Sequence, residues 1–281
     1  MLLASAVAFA LSAAPTPLPE ALEYLRGRNE DAGVSGFSFT QYSAGQRPFV
    51  SVDEAHLRAT ASGESDVVGS LAMGSRVTVL EKSTGAQRLK DRVDAWYRVE
   101  AQVDGGTQAG YVFGNVLTPF AFERDFNRDG VGDVATVAMS ADFQIRTRFK
   151  LGSKTGDATQ SWVDTRPSGE GYLSRAGGGV AASVVAEKTA GLTLVKLDSR
   201  PEACSDYSDT YVSNLGTPMT ALSLTGLVDP PNNAQFELRF LPKQKAAVAS
   251  WQITEEEEKP PRRRVDRYLL EGGEFVLQKV K

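Results

Sequence analysis

Apolar and polar positions alternate with a period of two along most of this chain, the pattern of strands with one buried face. It is plainest in Val67-Val68-Gly69-Ser70-Leu71 and in Ser75-Arg76-Val77-Thr78-Val79-Leu80, on either side of Met73-Gly74. It returns in Trp96-Tyr97-Arg98-Val99 and Ala109-Gly110-Tyr111-Val112, with Asp104-Gly105-Gly106 between them. Glycine takes positive φ without steric cost, so that break predicts a hairpin turn. Together these strands predict a small β-barrel over residues 49–119. The pattern continues at 134–139, 143–150, 179–187, 192–197, 219–224, 235–240, 246–254, 265–270 and 275–280. The breaks carry turn residues such as Gly177-Gly178-Gly179, Asp229-Pro230-Pro231-Asn232-Asn233 and Glu271-Gly272-Gly273. Residues 120–281 therefore predict a C-terminal β-domain, an all-β sandwich or an open barrel. In the segment 19–48, residues 19–28 read as a short helix and 37–42 as a strand.

Composition changes this picture little. A chain of 281 residues, 41% hydrophobic and 23% charged, has enough apolar side chains for a sizeable core, in one large or two modest domains. A formal charge of −4 gives no long-range attraction for nucleic acid or anionic lipid, so neither is expected as a partner. The basic run Arg262-Arg263-Arg264 follows Glu255-Glu256-Glu257-Glu258 across Lys259-Pro260-Pro261, which reads as two hairpin arms of opposite charge pairing across strands.

The N-terminus, MLLASAVAFALSAAPTPLPE, has an apolar run followed by a Pro-rich stretch and reads as a signal peptide over residues 1–18. The run is short for a bilayer span, which needs about 20 apolar residues, so membrane contact is expected only through that signal. The expected location is periplasmic or secreted. Cys204 is the single cysteine, which excludes an internal disulfide.

Five blocks in order carry a family resemblance: Leu57-Arg58-Ala59, Val67-Val68-Gly69-Ser70-Leu71, the Gly74 to Leu80 strand, Trp96-Tyr97-Arg98-Val99 and Gly110-Tyr111-Val112. In these, residues 50–119 resemble the bacterial Src homology 3 domain, a small β-barrel that is normally a binding module. Two departures stand out. His56 stands where the family often has Asn, and residues 83–94 make a long, charged loop that alters or covers the usual groove. The resemblance implies recognition of peptidoglycan, or of a peptide or protein of the cell envelope. The ligand surface is expected to be aromatic, since such faces stack on sugars and extended peptides, with Trp96, Tyr97, Tyr111 and Phe113 as its candidates. Strand alternation allows only some of them to face outward.

One motif carries metal chemistry. Asp125-Phe126-Asn127-Arg128-Asp129-Gly130-Val131-Gly132-Asp133 places oxygen-bearing side chains at loop positions 1, 3, 5 and 9 with glycine at 6. Calcium takes six to eight oxygens at flexible angles. Asp125, Asn127 and Asp129, the Val131 carbonyl and Asp133 are the expected ligands of a structural calcium. Thr136 occupies position 12, where an EF-hand needs Glu, and 134–137 reads as a strand. The loop is similar to the calcium loop of integrin-type FG-GAP repeats; the competing reading is a plain polar turn. Asp198, Glu202, Asp206 and Asp209 lack such spacing and read as a solvated loop.

Nucleophilic catalysis needs a nucleophile and a base, and His56 is the only imidazole. Nothing in sequence brings it to Cys204. The chain shows no nucleophile elbow, phosphate-cradling glycine loop or two-histidine metal motif. The resulting expectation is an exported, non-catalytic envelope binding protein. The alternatives are a cell-wall hydrolase whose barrel is a targeting module, and a scaffold or adhesion protein with purely protein partners.

Overall fold

A computed structural model describes residues 16–23, 40–90, 92–140, 144–165, 179–199, 205–255 and 260–278. Most of the expected signal peptide, the rest of the expected helix at 24–28, the first half of the expected strand at 37–42, and Cys204 lie outside these residues. The chain is mainly β. In the stretch expected to be helical, Leu22–Glu23 is a strand and pairs with Val180 and Gly179. Leu22 is 4% exposed in the core there, and that tertiary burial overrides the local helical pattern.

The first module is a five-stranded antiparallel sheet in the order 67–71, 55–58, 106–113, 96–103, 78–82. Phe49–Val50 pairs with Leu117–Thr118 and brings the two ends of the module together. The hairpin expected at 104–106 forms with Asp104 (φ 51) and Gly105 (φ 81) at the turn and Val103 opposite Gly106. This paired positive φ matches strand twist. Leu57, Val77, Val79, Tyr97, Val99 and Val112 fill the interior. Residues 83–94, expected as a long loop, contain a second hairpin, Gln87–Leu89 against Arg92–Asp94.

Beyond residue 119, Phe120–Arg124, Asp133–Met139, Ile145–Leu151 and Thr159–Thr165 form a four-stranded antiparallel meander. A nine-stranded sheet follows. Leu22–Glu23 is its first edge, and the eight strands from Gly179–Val185 to Glu274–Leu277 then run in chain order. Val195, Leu197 and Val212 of this sheet pack against Val137, Ile145 and Phe149 of the meander. On the opposite face Leu194 and Tyr211 pack against Ala249, Trp251 and Phe275, because the later strands curl back over the earlier ones. The Ser213 hydroxyl donates to the Gly273 carbonyl at 2.9 Å where the curl meets itself. The outcome is an open, curled sheet with a second sheet stacked on it, and the described residues form no closed barrel. The expected pairing of the two charged runs is not the register formed: Arg262, Arg263 and Arg264 stand opposite Ile253, Gln252 and Trp251, and Arg262 meets Glu255 at 3.5 Å beside residues 256–259, which lie outside the described residues.

Candidate functional site

The long hairpin folds over the open side of the first module and leaves a groove of about 450 Å³. Its aromatic floor is Trp96 and Phe113, directly opposite one another on neighbouring strands, with ring centroids 5.2 Å apart and planes tilted by 56°. Both residues are almost fully buried, at 3% and 5% exposure. One wall is the strand Ala55–Arg58, from which His56 and Arg58 face the groove. The other is the hairpin, which supplies Leu89, Lys90 and Arg92.

Local chemistry fixes these walls. Trp96 N–H donates to Thr84 Oγ1 at 3.0 Å and the Trp96 carbonyl accepts from Ser83 N–H at 2.8 Å, so the root of the hairpin is pinned to the floor strand. Leu89 lies so close over Gly63 that any side chain there would overlap it. Arg58 Nη1 donates to the Ser65 carbonyl at 2.5 Å, and Nη2 is 3.3 Å from His56 Nδ1. A guanidinium only donates, so His56 Nδ1 is the acceptor in this contact. Glu54 and Lys90 line the groove with φ of 55° and 56°, a left-handed conformation uncommon for side-chain-bearing residues.

The four aromatic candidates separate. Trp96 and Phe113 meet in the groove. Tyr97 is 0% exposed inside the module, edge-on to Tyr42 at 5.8 Å, and its hydroxyl accepts from Tyr42 N–H at 3.4 Å. It offers no face to a ligand, because it shares the inward side of its strand with Val99. Tyr111 is half-buried between Arg58 and Arg98 on the adjoining strands, outside the groove lining. The sequence reading missed Arg58, Leu89, Lys90 and Arg92 as groove residues; the only signal for the last three was the unusual length and charge of the loop.

Behind the groove wall, Asp94 is 5% exposed and accepts from Ala95 N–H at 2.7 Å. Burial pushes its carboxyl up to about 8, against the opposing pull of that N–H and of Lys82. Burial and the nearby Asp94 charge together push Tyr97 up to about 12.

The acidic loop forms a tight turn around Gly130 (φ 82). Asp125 accepts from Arg128 N–H at 2.6 Å and Gly130 N–H at 2.9 Å, Asn127 from Asp129 N–H at 3.0 Å, and Asp129 from Val131 N–H at 2.7 Å. Asp133, 1% exposed, turns inward and accepts from Phe126 N–H at 2.8 Å and Gly152 N–H at 2.9 Å. Burial raises its carboxyl despite these donors. Among the described residues no three carboxylate, imidazole or thiol groups come together to hold a metal. As placed, Asp133 serves the core, and a cation would have to compete with backbone N–H groups for it. In the second acidic patch, Asp198 faces Asp209 across two strands, and Lys196 bridges them at 3.3 and 2.8 Å; Glu202 lies outside the described residues.

This geometry defines a mainly β protein whose first module carries a basic, aromatic groove. The bacterial SH3 domain family matches residues 53–118, the same module. No curated protein and no solved structure matches the chain. Among the described residues no helix is long and apolar enough to cross a membrane.

Proposed function

We propose that this chain is an exported, non-catalytic binding protein of the cell envelope, and that its SH3 module recognises peptidoglycan or an envelope peptide in the groove beneath the 87–94 hairpin. The observation that carries the reading is the Trp96–Phe113 floor flanked by Arg58 and Lys90, within the module that matches a family whose members often bind cell-wall peptidoglycan. An aromatic floor with polar groups at the rim of the groove suits an extended chain of mixed polarity. A binding rather than catalytic role is supported by the single imidazole, His56, whose Nδ1 is occupied by Arg58. A structural calcium in the 125–133 loop belongs to the same proposal. Asp125, Asn127 and Asp129 would hold it with the Val131 carbonyl, and Asp133 would close the site; the spacing and the Gly130 turn support this, and the inward hydrogen bonds of Asp133 oppose it.

The direct test is co-sedimentation of the full chain with insoluble peptidoglycan sacculi. Sedimentation of the wild type, weakened up to about fivefold by Arg58→Gln through loss of one charged contact, is the expected result. Absence of sedimentation would sink the wall-binding reading and leave the module to protein partners. In that case a second depression of about 480 Å³ on the curled sheet, between Phe236, Trp251 and Arg264, becomes the place to search.

A further inference from the structure

We propose that the groove selects its ligand through a free carboxylate, gripped between Arg58 on the strand wall and Lys90 on the hairpin wall, above the Trp96–Phe113 floor. This rests on the wall-binding reading and specifies what that site selects. The charge distribution carries the argument. In a chain with a formal charge of −4, the groove is lined by Arg58, Lys90 and Arg92, against one described carboxylate, Glu54. Asp91 lies outside the described residues. The cations reach the groove from two separate segments, so their convergence is set by the fold and not by a basic run in sequence.

Geometry points the same way. Ser65 and His56 engage two N–H groups of Arg58 and hold its planar fork in place. A guanidinium has five donors, so others remain for a planar acceptor such as a carboxylate. His56 stands beside Arg58 in the same groove lining. Lys90 is the second sign of function. A lysine at φ 56 sits where glycine would be unstrained, and such strain collects where a side chain is needed for binding. Exchanging it for glycine removes the strain together with the charge, so a functional lysine predicts that stability and binding move in opposite directions.

The test uses the full chain with two preparations of sacculi: untreated, and with their carboxyl groups converted to primary amides by carbodiimide and ammonium. The expected result is binding at least about fivefold weaker to the amidated sacculi, with a steep salt dependence for the untreated ones. Lys90→Gly should bind untreated sacculi about fivefold more weakly, amidated sacculi like the wild type, and melt no lower than the wild type. Equal binding of the wild type to both preparations would overturn carboxylate selection while leaving wall binding intact. Should neither preparation bind, the wall reading fails, and acetyl-Phe-Ala as free acid or as amide decides the remaining point. Resonance shifts of the Trp96 indole and Lys90 amide confined to the free acid support the proposal, and identical responses to both peptides overturn it.

Discussion

At Asp94 a carboxyl group is shut away from water with Ala95 N–H as its close donor, and this has a measurable consequence. Its folded value of about 8 lies above that of an unfolded aspartate, about 4. Between these values the native state holds a proton that the unfolded state has lost, so stability is full at low pH and falls as pH rises from about 4 to about 8. Asp94→Asn removes this dependence. Denaturant melts at several pH values should show a flatter profile for the variant and a higher midpoint than wild type above about pH 8. A parallel profile would mean that Asp94 is ionised and satisfied in the native state. The same scale shows why the aromatic candidates separate. Trp96 and Tyr97 are adjacent and alternate faces, so sequence announces that one of them is inward but not which. The choice was made by Tyr42, 55 positions away, whose ring and N–H meet Tyr97 inside the module.

At the scale of elements, the 87–94 hairpin is held at its root, by Val93 and Asp94 of its second strand, which are buried with Asp94 against Gly114, and by Leu89 of its first strand over Gly63. Leu89→Ser is expected to speed amide exchange in 87–94 and weaken ligand binding, while shifting the global melting midpoint by only a few degrees. Unchanged exchange in the hairpin would contradict its role as a separately anchored wall. For the acidic loop, the proposal predicts a higher melting midpoint in millimolar calcium than in chelator, because a ligand that binds only the native state stabilises it. Coincident midpoints would leave the loop as a turn held by its own hydrogen bonds.

Strand alternation located elements whose apolar face is continuous, such as Ala246–Thr254, whose bounds match the expected ones. It missed Thr159–Thr165 and Ser205–Asn214, whose polar side chains are satisfied across strands. Arg146 grips Asp164 with two hydrogen bonds of 2.7 and 2.6 Å, and Lys196 bridges Asp198 and Asp209. Such pairings are set by register between strands, which periodicity within one segment does not report.

For the whole molecule, the SH3 module is docked on the four-stranded meander by a polar seam. Thr118 donates to the Val137 carbonyl, Thr136 to the Ser51 carbonyl at 2.9 Å, and Lys150 meets Asp53 at 2.8 Å. Burial alone would raise Asp53, but the Lys150 ammonium and Met73 N–H outweigh it and hold the carboxyl below its usual value. A lowered folded value means that this contribution is present above the ordinary carboxylate range and disappears as pH falls through the lowered value. Lys150→Met should therefore cost about 1 kcal/mol at neutral pH and less in acid below the ordinary carboxylate range, read from denaturant midpoints. An equal cost at both would assign the effect to lost packing of the lysine stem. Phe126, fully buried and edge-on to Phe149 at 5.2 Å, anchors the acidic loop in the core between the two sheets.

The measurement that bears most directly on the account is a solution NMR titration of the full chain with soluble muropeptides released from sacculi. Shifts clustered at His56, Arg58, Leu89, Lys90, the Trp96 indole and Phe113 are the predicted result. Shifts centred instead on Phe236, Trp251 and Arg264 would move recognition to the curled sheet, and none at millimolar ligand would contradict the proposed wall-binding role itself.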